Sequence, residues 1–366
     1  MPNNLKIGVV GTGVVGCGVL KAWVTRGYEV VGFDVNFQTI DRLRLEGYEV
    51  YHMQEFAKRC EADLLFVCIS TPQSDDGSIY LDYLLSGIDI LGPWIDQRVK
   101  LGQYPMIVMR STMLPNLSKN KVIPALEETS GQVAGESFGY AHLPEILRET
   151  DALEDSLNIW QVVIGELDRY TGDTLEEMFT PILGSRKEKL LTRVPVSVAE
   201  ASKIIMNTYN ATIISYFNMM GELLTSLEID AQMAIDLSIR MGEGSLNSWY
   251  GTLAGMPYGG KCLPKDVAAL LAMARQVKEH GVDVPMFQLE ATQKLNDHML
   301  ELSDSGHAPA PIKAGFRRLS AADMASRTVE LYDAYHAIKT AKETAGNPNF
   351  GVSFTKKKVD WSIAAD

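Results

Sequence analysis

The first 34 residues contain the pattern that most restricts the fold of this chain. A short apolar run is followed at once by the glycine pattern G-x-G-x-x-G, then by a segment with helical spacing and by a second apolar run that ends at Asp34. The three glycines are Gly11, Gly13 and Gly16. Strand, glycine turn, helix and strand in this order predict the first β-α-β unit of a Rossmann-like sheet.

This glycine turn also predicts a dinucleotide site. Glycines let the backbone approach a pyrophosphate closely, and the helix that starts at Val14 and Val15 offers free N–H groups with a partial positive charge. Asp34 lies 18 residues after Gly16, where a carboxylate accepts hydrogen bonds from the adenine ribose hydroxyls. A chance glycine turn is the alternative, but the whole unit agrees with a cofactor site. We therefore predict NAD rather than NADP as the cofactor.

Four later runs have the composition of strands that are buried on both faces, which is typical of a parallel, doubly wound sheet. They cover residues 63–70, 106–112, 138–143 and 160–167. We predict that residues 1–195 form one NAD-binding Rossmann domain. The loops after these strands lie at the carboxyl edge of such a sheet, where the ligand crevice forms.

From residue 196 the pattern becomes helical, and we predict an all-helical central domain over residues 196–302 that carries the loop around Cys262. Its first helix, over residues 196–228, has apolar residues on several faces, so we expect it to be buried between two copies in a homodimer. Residues 303–366 are predicted to form a linker, one helix at about 321–345 and a loosely ordered tail. The predicted fold class is α/β, with a Rossmann-like doubly wound sheet, a second all-helical domain and a short atypical C-terminal tail.

Composition excludes several classes of function. The formal net charge of −12 disfavours a nucleic-acid partner, although a small anionic substrate remains compatible with a few local cations. The four cysteines form no C-x-x-C pair and no cluster with histidine, so neither disulfides nor a metal site is expected. No run of about 18 apolar residues and no leader segment is present, which predicts a cytoplasmic protein without a membrane partner.

The stretch PYGGKCLPKD, residues 257–266, predicts a reactive thiol. Cys262 comes just before a helix that starts at Pro264, and the partial positive charge at a helix N-terminus stabilises a thiolate. The plain structural alternative is a small packed cysteine. Beside a nicotinamide cofactor, a thiolate can add to an aldehyde and give a thiohemiacetal, then after a second oxidation a thioester, which water releases as an acid.

Four separated motifs carry a resemblance to a known family. GTGVVG, LPEILRE, AEASKIIMNTYNA and GGKCLPKD, in this order, resemble the UDP-glucose/GDP-mannose 6-dehydrogenase family, and most closely its UDP-glucose branch, over about residues 5–300. The resemblance implies NAD-dependent four-electron oxidation of the C6 alcohol of a nucleotide sugar, with UDP-glucose converted to UDP-glucuronate for polysaccharide biosynthesis. It also implies a homodimer.

The resemblance further implies roles for individual residues. The catalytic set consists of Cys262 as nucleophile, Lys203 and Asn207 for the oxyanion, Asp266 and Thr112 for the water, and Glu145 as general base. The additional cofactor contacts are Thr71, Pro72, Ser111, Thr112 and Glu149. The substrate contacts are Leu147, Arg148, Lys203, Asn207, Arg240, Tyr258, Gly259 and Gly260.

Several of these residues have a plain structural interpretation as well. Lys203 and Asn207 are spaced i, i+4 and could lie on a solvated helix face. Glu145 and Glu149 could be acids favoured by the first turn of a helix, and Thr112 could be a cap.

The sequence also departs from the family pattern. Residues 303–366 contain nothing like the second α/β domain that members carry, and the segment 241–260 is longer than expected. Three explanations remain open: a nucleotide sugar bound with help from Lys313, Arg317 and Arg318, a smaller or differently activated sugar, or an inactive NAD-binding homologue that acts as an assembly module. A β-hydroxyacid-type dehydrogenase, which performs a single oxidation without a cysteine, is the other alternative.

Overall fold

The computed structural model describes residues 5–146, 152–248, 250–252, 257–259, 262–304 and 319–344. Four predicted site residues lie outside these described residues: Leu147, Arg148, Glu149 and Gly260. The predicted linker after residue 304 and the tail after residue 344 also lie outside them. The chain divides into two compact units, Met1–Thr208 and Tyr209–Asp366. The predicted domain boundary at residues 195 and 196 stays a prediction.

The first unit is built on one eight-stranded sheet with the strand order β3-β2-β1-β4-β5-β6-β7-β8. The strands are β1 Lys6–Val10, β2 Glu29–Asp34, β3 Val50–His52, β4 Leu64–Val67, β5 Met106–Met109, β6 Gly139–His142, β7 Val162–Glu166 and β8 Leu191–Pro195. All neighbouring pairs are parallel except β6 and β7, which are antiparallel.

Helices connect and cover these strands. In the first unit they are α1 Val14–Thr25, α2 Phe37–Leu45, α3 Phe56–Arg59, α4 Asp82–Lys100, α5 Ile123–Ser130, α6 Ala152–Leu157, α7 Arg169–Leu183 and α8 Lys187–Leu190. The helix α9 Val196–Ser226 contains the boundary between the two units. It is followed by α10 Ala231–Met241, α11 Glu243–Leu246, α12 Leu263–Glu279, α13 Phe287–Asp304 and α14 Ala321–Thr344.

The sheet forms because its central strands are apolar on both faces. Every residue of β4 and β5 is buried, and hydrophobic clusters lie on both sides of the sheet, one around Trp23 and Phe66 and the other around Phe33 and Phe56. Such runs are typical of strands covered by helices on both faces. The predicted α/β Rossmann-like fold is therefore confirmed.

Two features of the sheet were not predicted. The strands β3 and β8 are short or half-exposed edge strands, and β8 ends at Pro195. The antiparallel pairing of β7 with β6 joins His142 to Gly165, so the connection between the two strands begins and ends at the same edge of the sheet. The segment that carries Glu145 therefore starts at the carboxyl edge.

The described residues of the second unit are mainly helical. The last turns of α9 pack with α12 and α13 around a core that includes Leu223, Leu271 and Val277. The helix α14 lies against α10 and α11. Arg327 Nη1 donates a hydrogen bond of 2.7 Å to the carbonyl oxygen of Leu246. Within the described parts of the chain, none of the helices has the length and apolar character needed to cross a bilayer.

Candidate active site

The turn between β1 and α1 is shaped by two glycines, Gly11 and Gly16, that leave no room for a side chain. Gly11 has a φ of +83°, and a Cβ atom there would lie 2.8 Å from the carbonyl oxygen of Cys68. A Cβ atom on Gly16 would lie 1.8 Å from the carbonyl oxygen of Gly11. Around Gly13, by contrast, no described atom lies within 4 Å of the Cβ position. The turn is therefore tightly packed towards the protein and open on the side of Gly13.

The helix α1 begins on this open side. Its N-cap is Gly13, so no side chain caps the N–H groups of the first turn. Val14 is 55% exposed and Val15 is half-buried, which leaves the end of the helix accessible. Free N–H groups at an accessible helix N-terminus suit a pyrophosphate.

Asp34 lies at the end of the neighbouring strand, β2, and its carboxylate is hydrogen-bonded to the glycine turn. Its Oδ2 accepts hydrogen bonds from Thr12 N at 2.6 Å and from Thr12 Oγ1 at 2.9 Å, and its Oδ1 accepts one from Asn36 N at 2.9 Å. Three of the roughly four acceptor sites of the carboxylate are thus occupied, and Oδ1 can still accept a hydrogen bond from a ribose hydroxyl. The glycine turn and Asp34 together fit NAD.

The loops after β4 and β5 lie side by side at the carboxyl edge. Thr71 Oγ1 donates to the carbonyl oxygen of Thr112 at 3.2 Å, and Ser111 Oγ donates to that of Ile69 at 2.5 Å. Pro72 is exposed and Thr112 is half-buried. The predicted cofactor-side residues of the two loops are thus held together.

Next to these loops, two charged side chains form an ion pair and a third is within range of their charges. Arg110 Nη2 forms a close ion pair with Glu145 Oε2, and the side chains are 12% and 9% exposed. Lys203, on α9, is itself 9% exposed. Burial lowers the pKa of Lys203, the charge of Glu145 raises it, and the charge of Arg110 lowers it. The structure therefore brings the predicted base and the predicted oxyanion-binding lysine into one electrostatic cluster.

A second buried carboxylate fixes α9 to the loop after β5. Glu200 is fully buried, and its two oxygens accept hydrogen bonds from Asn116 N at 2.7 Å and Ser118 N at 2.8 Å. Asn116 has a φ of 67°, so the loop turns sharply there. Because Lys203 lies one helical turn after Glu200, this clamp positions the lysine relative to the loop. Asn207 follows on the same face of α9 and is exposed.

His142 carries no charge in the cluster at neutral pH. It is fully buried at the end of β6, and burial, followed by the charge of Arg110, lowers its pKa to about 4. Among the described residues, the charges that act on Lys203 are those of Glu145 and Arg110.

The predicted nucleophile lies in the second unit. Cys262 is the N-cap of α12, its side chain is exposed, and Pro264 is the second residue of the helix. Asp266, in the first turn, accepts from Lys265 Nζ at 2.6 Å, and both of these side chains are about two-thirds exposed. The helix, which was predicted to start at Pro264, therefore begins one residue earlier, at Leu263.

The other described substrate residues also belong to the second unit. Tyr258 is half-buried, and its N–H donates to Asn296 Oδ1 at 2.7 Å, while Gly259 is exposed. Arg240 Nε donates to the carbonyl oxygen of Asp236 at 3.2 Å, and its guanidinium carbon lies 5.6 Å from the centre of the Tyr332 ring. Their roles in binding stay predictions.

Sequence reasoning missed two residues of the cluster, Arg110 and Glu200. Arg110 directly precedes the predicted residue Ser111 at the end of a buried strand, where a charged side chain signals a site at the carboxyl edge. Glu200 lies three residues before Lys203, so both fall on the buried face of the helix.

The glycine turn, the acid at the end of β2 and the mostly parallel sheet define an NAD-binding protein of the Rossmann class. Residues 48–183 match the NAD binding domain of the UDP-glucose/GDP-mannose dehydrogenase family, and residues 197–298 match the central domain of the same family. Residues 6–86 also match the NAD binding domain of 6-phosphogluconate dehydrogenase. The chain belongs to the UDP-glucose/GDP-mannose dehydrogenase family, of which it carries the NAD-binding and central domains.

Named relatives agree with this assignment. GDP-mannose 6-dehydrogenase of Pseudomonas aeruginosa is 32% identical over 277 residues, which is 70% of this chain and 61% of the relative. UDP-glucose 6-dehydrogenase of Rickettsia bellii is 31% identical over 262 residues, which is 71% of this chain and 54% of the relative. The chain thus spans less than two thirds of the length of these relatives.

A solved structure has the same architecture. The ternary complex of GDP-mannose dehydrogenase from Pseudomonas aeruginosa matches with a TM-score of 0.72 and 28% identity, covering 90% of this chain and 79% of that one. The family predicted from the four sequence motifs is therefore confirmed, together with NAD as its cofactor.

Proposed function

We propose that this chain is an NAD-dependent nucleotide-sugar 6-dehydrogenase that oxidises the C6 alcohol of its substrate to a carboxylate. The observation that carries the proposal is the buried Arg110–Glu145 pair beside Lys203, at the same edge of the sheet as the glycine turn. A cation next to a carboxylate in a water-poor site can stabilise an oxyanion and activate water. Relatives named as GDP-mannose and UDP-glucose 6-dehydrogenases support the same reaction class.

Different residues of the chain act in different steps of the proposed reaction. NAD would be held at Gly11, Gly13, Gly16 and Asp34 and would supply the hydride acceptor, one NAD molecule for each of the two oxidations. Lys203 and Asn207 donate hydrogen bonds to the oxygen at C6 as negative charge develops on it. The Cys262 thiolate adds to the carbonyl carbon of the aldehyde, and the carbonyl oxygen takes a proton to give the thiohemiacetal.

The last step releases the product from the cysteine. After the second oxidation, the sugar is attached to Cys262 as a thioester. Glu145 accepts a proton from a water molecule whose oxygen bonds to the thioester carbon, and the carbon–sulfur bond then breaks. Thr112 and Asp266 are the further residues proposed to position this water.

The nucleotide and the sugar define two candidate substrates. UDP-glucose is the substrate predicted from the sequence motifs. GDP-mannose is the second candidate, because relatives with that name match this chain over 70 to 75% of its length. Both molecules present a primary alcohol on a hexose and a diphosphate, so the proposed chemistry is the same for either.

The test is the amount of NADH formed per sugar consumed, measured over UDP-glucose, GDP-mannose and dTDP-glucose. We expect two NADH per sugar from the wild type on one of these substrates. Cys262→Ser cannot form the thioester, so its acid production is expected to be lost while NAD binding is kept. Cys60→Ser, at a buried cysteine of the first unit, is the matched control and should retain the stoichiometry.

Other ratios of NADH formed to substrate consumed would support the alternative functions. One NADH per substrate, unchanged in Cys262→Ser, would favour a single-step β-hydroxyacid-type dehydrogenase. NAD binding with no turnover of any activated sugar would favour an inactive homologue that acts as an assembly module.

We also propose that the protein is a homodimer in which α9 contributes to the interface. Ile205 is 66% exposed and Ile214 is 62% exposed, although both are large apolar residues on a long helix. Exposed apolar residues that cluster on one element mark an interaction surface. A second copy is the occupant that the apolar character of the whole helix favours.

Sedimentation velocity tests this assembly. We expect a dimer for the wild type and a monomer for Ile214→Glu, because the substitution puts a charge into the apolar interface. Leu45→Glu is the control, since Leu45 is 90% exposed on α2 in the first unit. A monomeric wild type, or a dimer that tolerates Ile214→Glu, would refute the proposed interface.

A further inference from the structure

Arg110 and Glu145 come from neighbouring strands and meet at the carboxyl edge. Arg110 directly follows β5, Glu145 is three residues beyond β6, and the two parallel strands are paired up to Met109 and His142. Adjacent parallel strands that end at the same level project the residues after them to the same side of the sheet. The ion pair is therefore built by the sheet rather than by flexible surface side chains.

The burial of this pair needs an explanation. The two side chains are 12% and 9% exposed, and taking two charges out of water costs several kcal/mol, an amount that the ion pair does not always recover. An apolar pair would suit the core of the sheet as well. The pair therefore points to a function in the site rather than to a need of the fold.

The other ionisable groups near Lys203 show which carboxylate acts on this lysine. Glu200 lies one turn away, but its two oxygens already accept from the backbone N–H groups of Asn116 and Ser118. His142 is neutral, because burial lowers its pKa to about 4, and burial also keeps Cys68 a neutral thiol. Among the described residues, Glu145 is thus the carboxylate whose charge acts on Lys203.

We propose that Arg110 is a positioning residue that binds Glu145 and so prevents it from pairing with Lys203. The inference rests on the proposed function for the roles of Glu145 and Lys203. Without Arg110, Lys203 is the described cation on which the charge of Glu145 acts, and a direct Lys203–Glu145 pair would engage both groups with each other. Lys203 then has fewer donors for the substrate oxygen, and Glu145 is turned away from the water.

Two substitutions of Arg110 test the proposal, with a matched control. Arg110→Gln removes the charge and Arg110→Lys keeps it. Arg98→Gln is the control, because Arg98 is also 12% exposed and also pairs with a carboxylate, that of Asp63, which precedes β4 at the opposite edge of the sheet. All three variants are first checked for melting temperature and NAD binding.

The first readout does not depend on turnover. The rate at which acetic anhydride acetylates Lys203, followed by peptide mass spectrometry at fixed pH, reports its deprotonated fraction. Removing the Arg110 charge and releasing Glu145 both raise the pKa of Lys203, so Arg110→Gln should be acetylated about tenfold more slowly, one pKa unit being a factor of ten. Arg110→Lys should be intermediate, and Arg98→Gln should match the wild type.

The second readout is turnover. We expect kcat of Arg110→Gln to fall about a hundredfold, the scale of a lost general base, with KM changed little and with partial recovery in Arg110→Lys. Equal acetylation of Lys203 in Arg110→Gln and the wild type, or an equal change in Arg98→Gln, overturns the proposal. If the wild type oxidises no nucleotide sugar but Lys203 slows only in the Arg110 variants, the pairing stands and the proposed function fails.

Discussion

Replacing Lys203 with methionine is expected to lower kcat about a thousandfold, with little change in NAD binding. The lysine is a buried cation of α9 on which the charge of Glu145 acts, and the loss of one preorganised donor to an oxyanion costs a factor of about a hundred to a thousand. Methionine keeps the length and apolar stem of the side chain, so the helix should still pack. Steady-state kinetics with the preferred nucleotide sugar measure the effect.

Lys187→Met provides the control for this substitution. Lys187 is a partly buried lysine of the same unit that pairs with Glu176 at 2.5 Å, on the segment before β8. Its replacement removes the same charge from a structural ion pair, so kcat should stay within a factor of about two, in line with the small energies of exposed pairs. If Lys203→Met and Lys187→Met have similar kcat values, Lys203 has no role in the chemistry.

Glu200→Gln is expected to lower the free energy of unfolding by about 2 to 3 kcal/mol and to reduce kcat as well. A glutamine can accept one backbone N–H through its carbonyl oxygen, but its amide nitrogen then faces the other N–H, so a buried donor is left without an acceptor. The loop at residues 116–118 should then move relative to α9. Urea unfolding gives the change in stability, and kinetics below the transition give kcat.

Asp168→Asn is the control for Glu200→Gln, and it separates an effect on stability from an effect on catalysis. Asp168 also accepts backbone N–H groups, from Thr171 at 2.8 Å and Tyr140 at 3.1 Å, but it lies near the amino-terminal end of β6, away from the cluster. We expect it to destabilise the fold without changing the kcat of the folded protein. The clamp would be contradicted if Glu200→Gln were as stable and as active as the wild type.

The parts of the fold that the sequence predicted are those with a strong local signal. Buried strands such as β4 and β5 are continuous apolar runs, and the glycine turn has a fixed spacing. The strand β8, with the sequence LTRVP, was missed because an edge strand exposes its polar residues to water. The direction of β7 was missed because an apolar run has the same composition whether its neighbour is parallel or antiparallel.

The candidate site was predicted unevenly for a similar reason. Lys203 and Glu145 were found through motifs, whereas Arg110 and Glu200 look like surface charges when each is read alone. Their burial depends on contacts across 35 and 84 positions of the chain, to Glu145 and Asn116. No local pattern contains such a contact.

The bond between Asp34 and the glycine turn has a consequence for how coenzyme preference could change. The carboxylate that would repel a 2′-phosphate also accepts the N–H and the hydroxyl of Thr12, so selectivity and the shape of the turn depend on one side chain. A single substitution of Asp34 would remove the discrimination and at the same time loosen the loop that any dinucleotide needs. A change of preference towards NADP is therefore expected to need a compensating change at Thr12 as well as the loss of the Asp34 carboxylate.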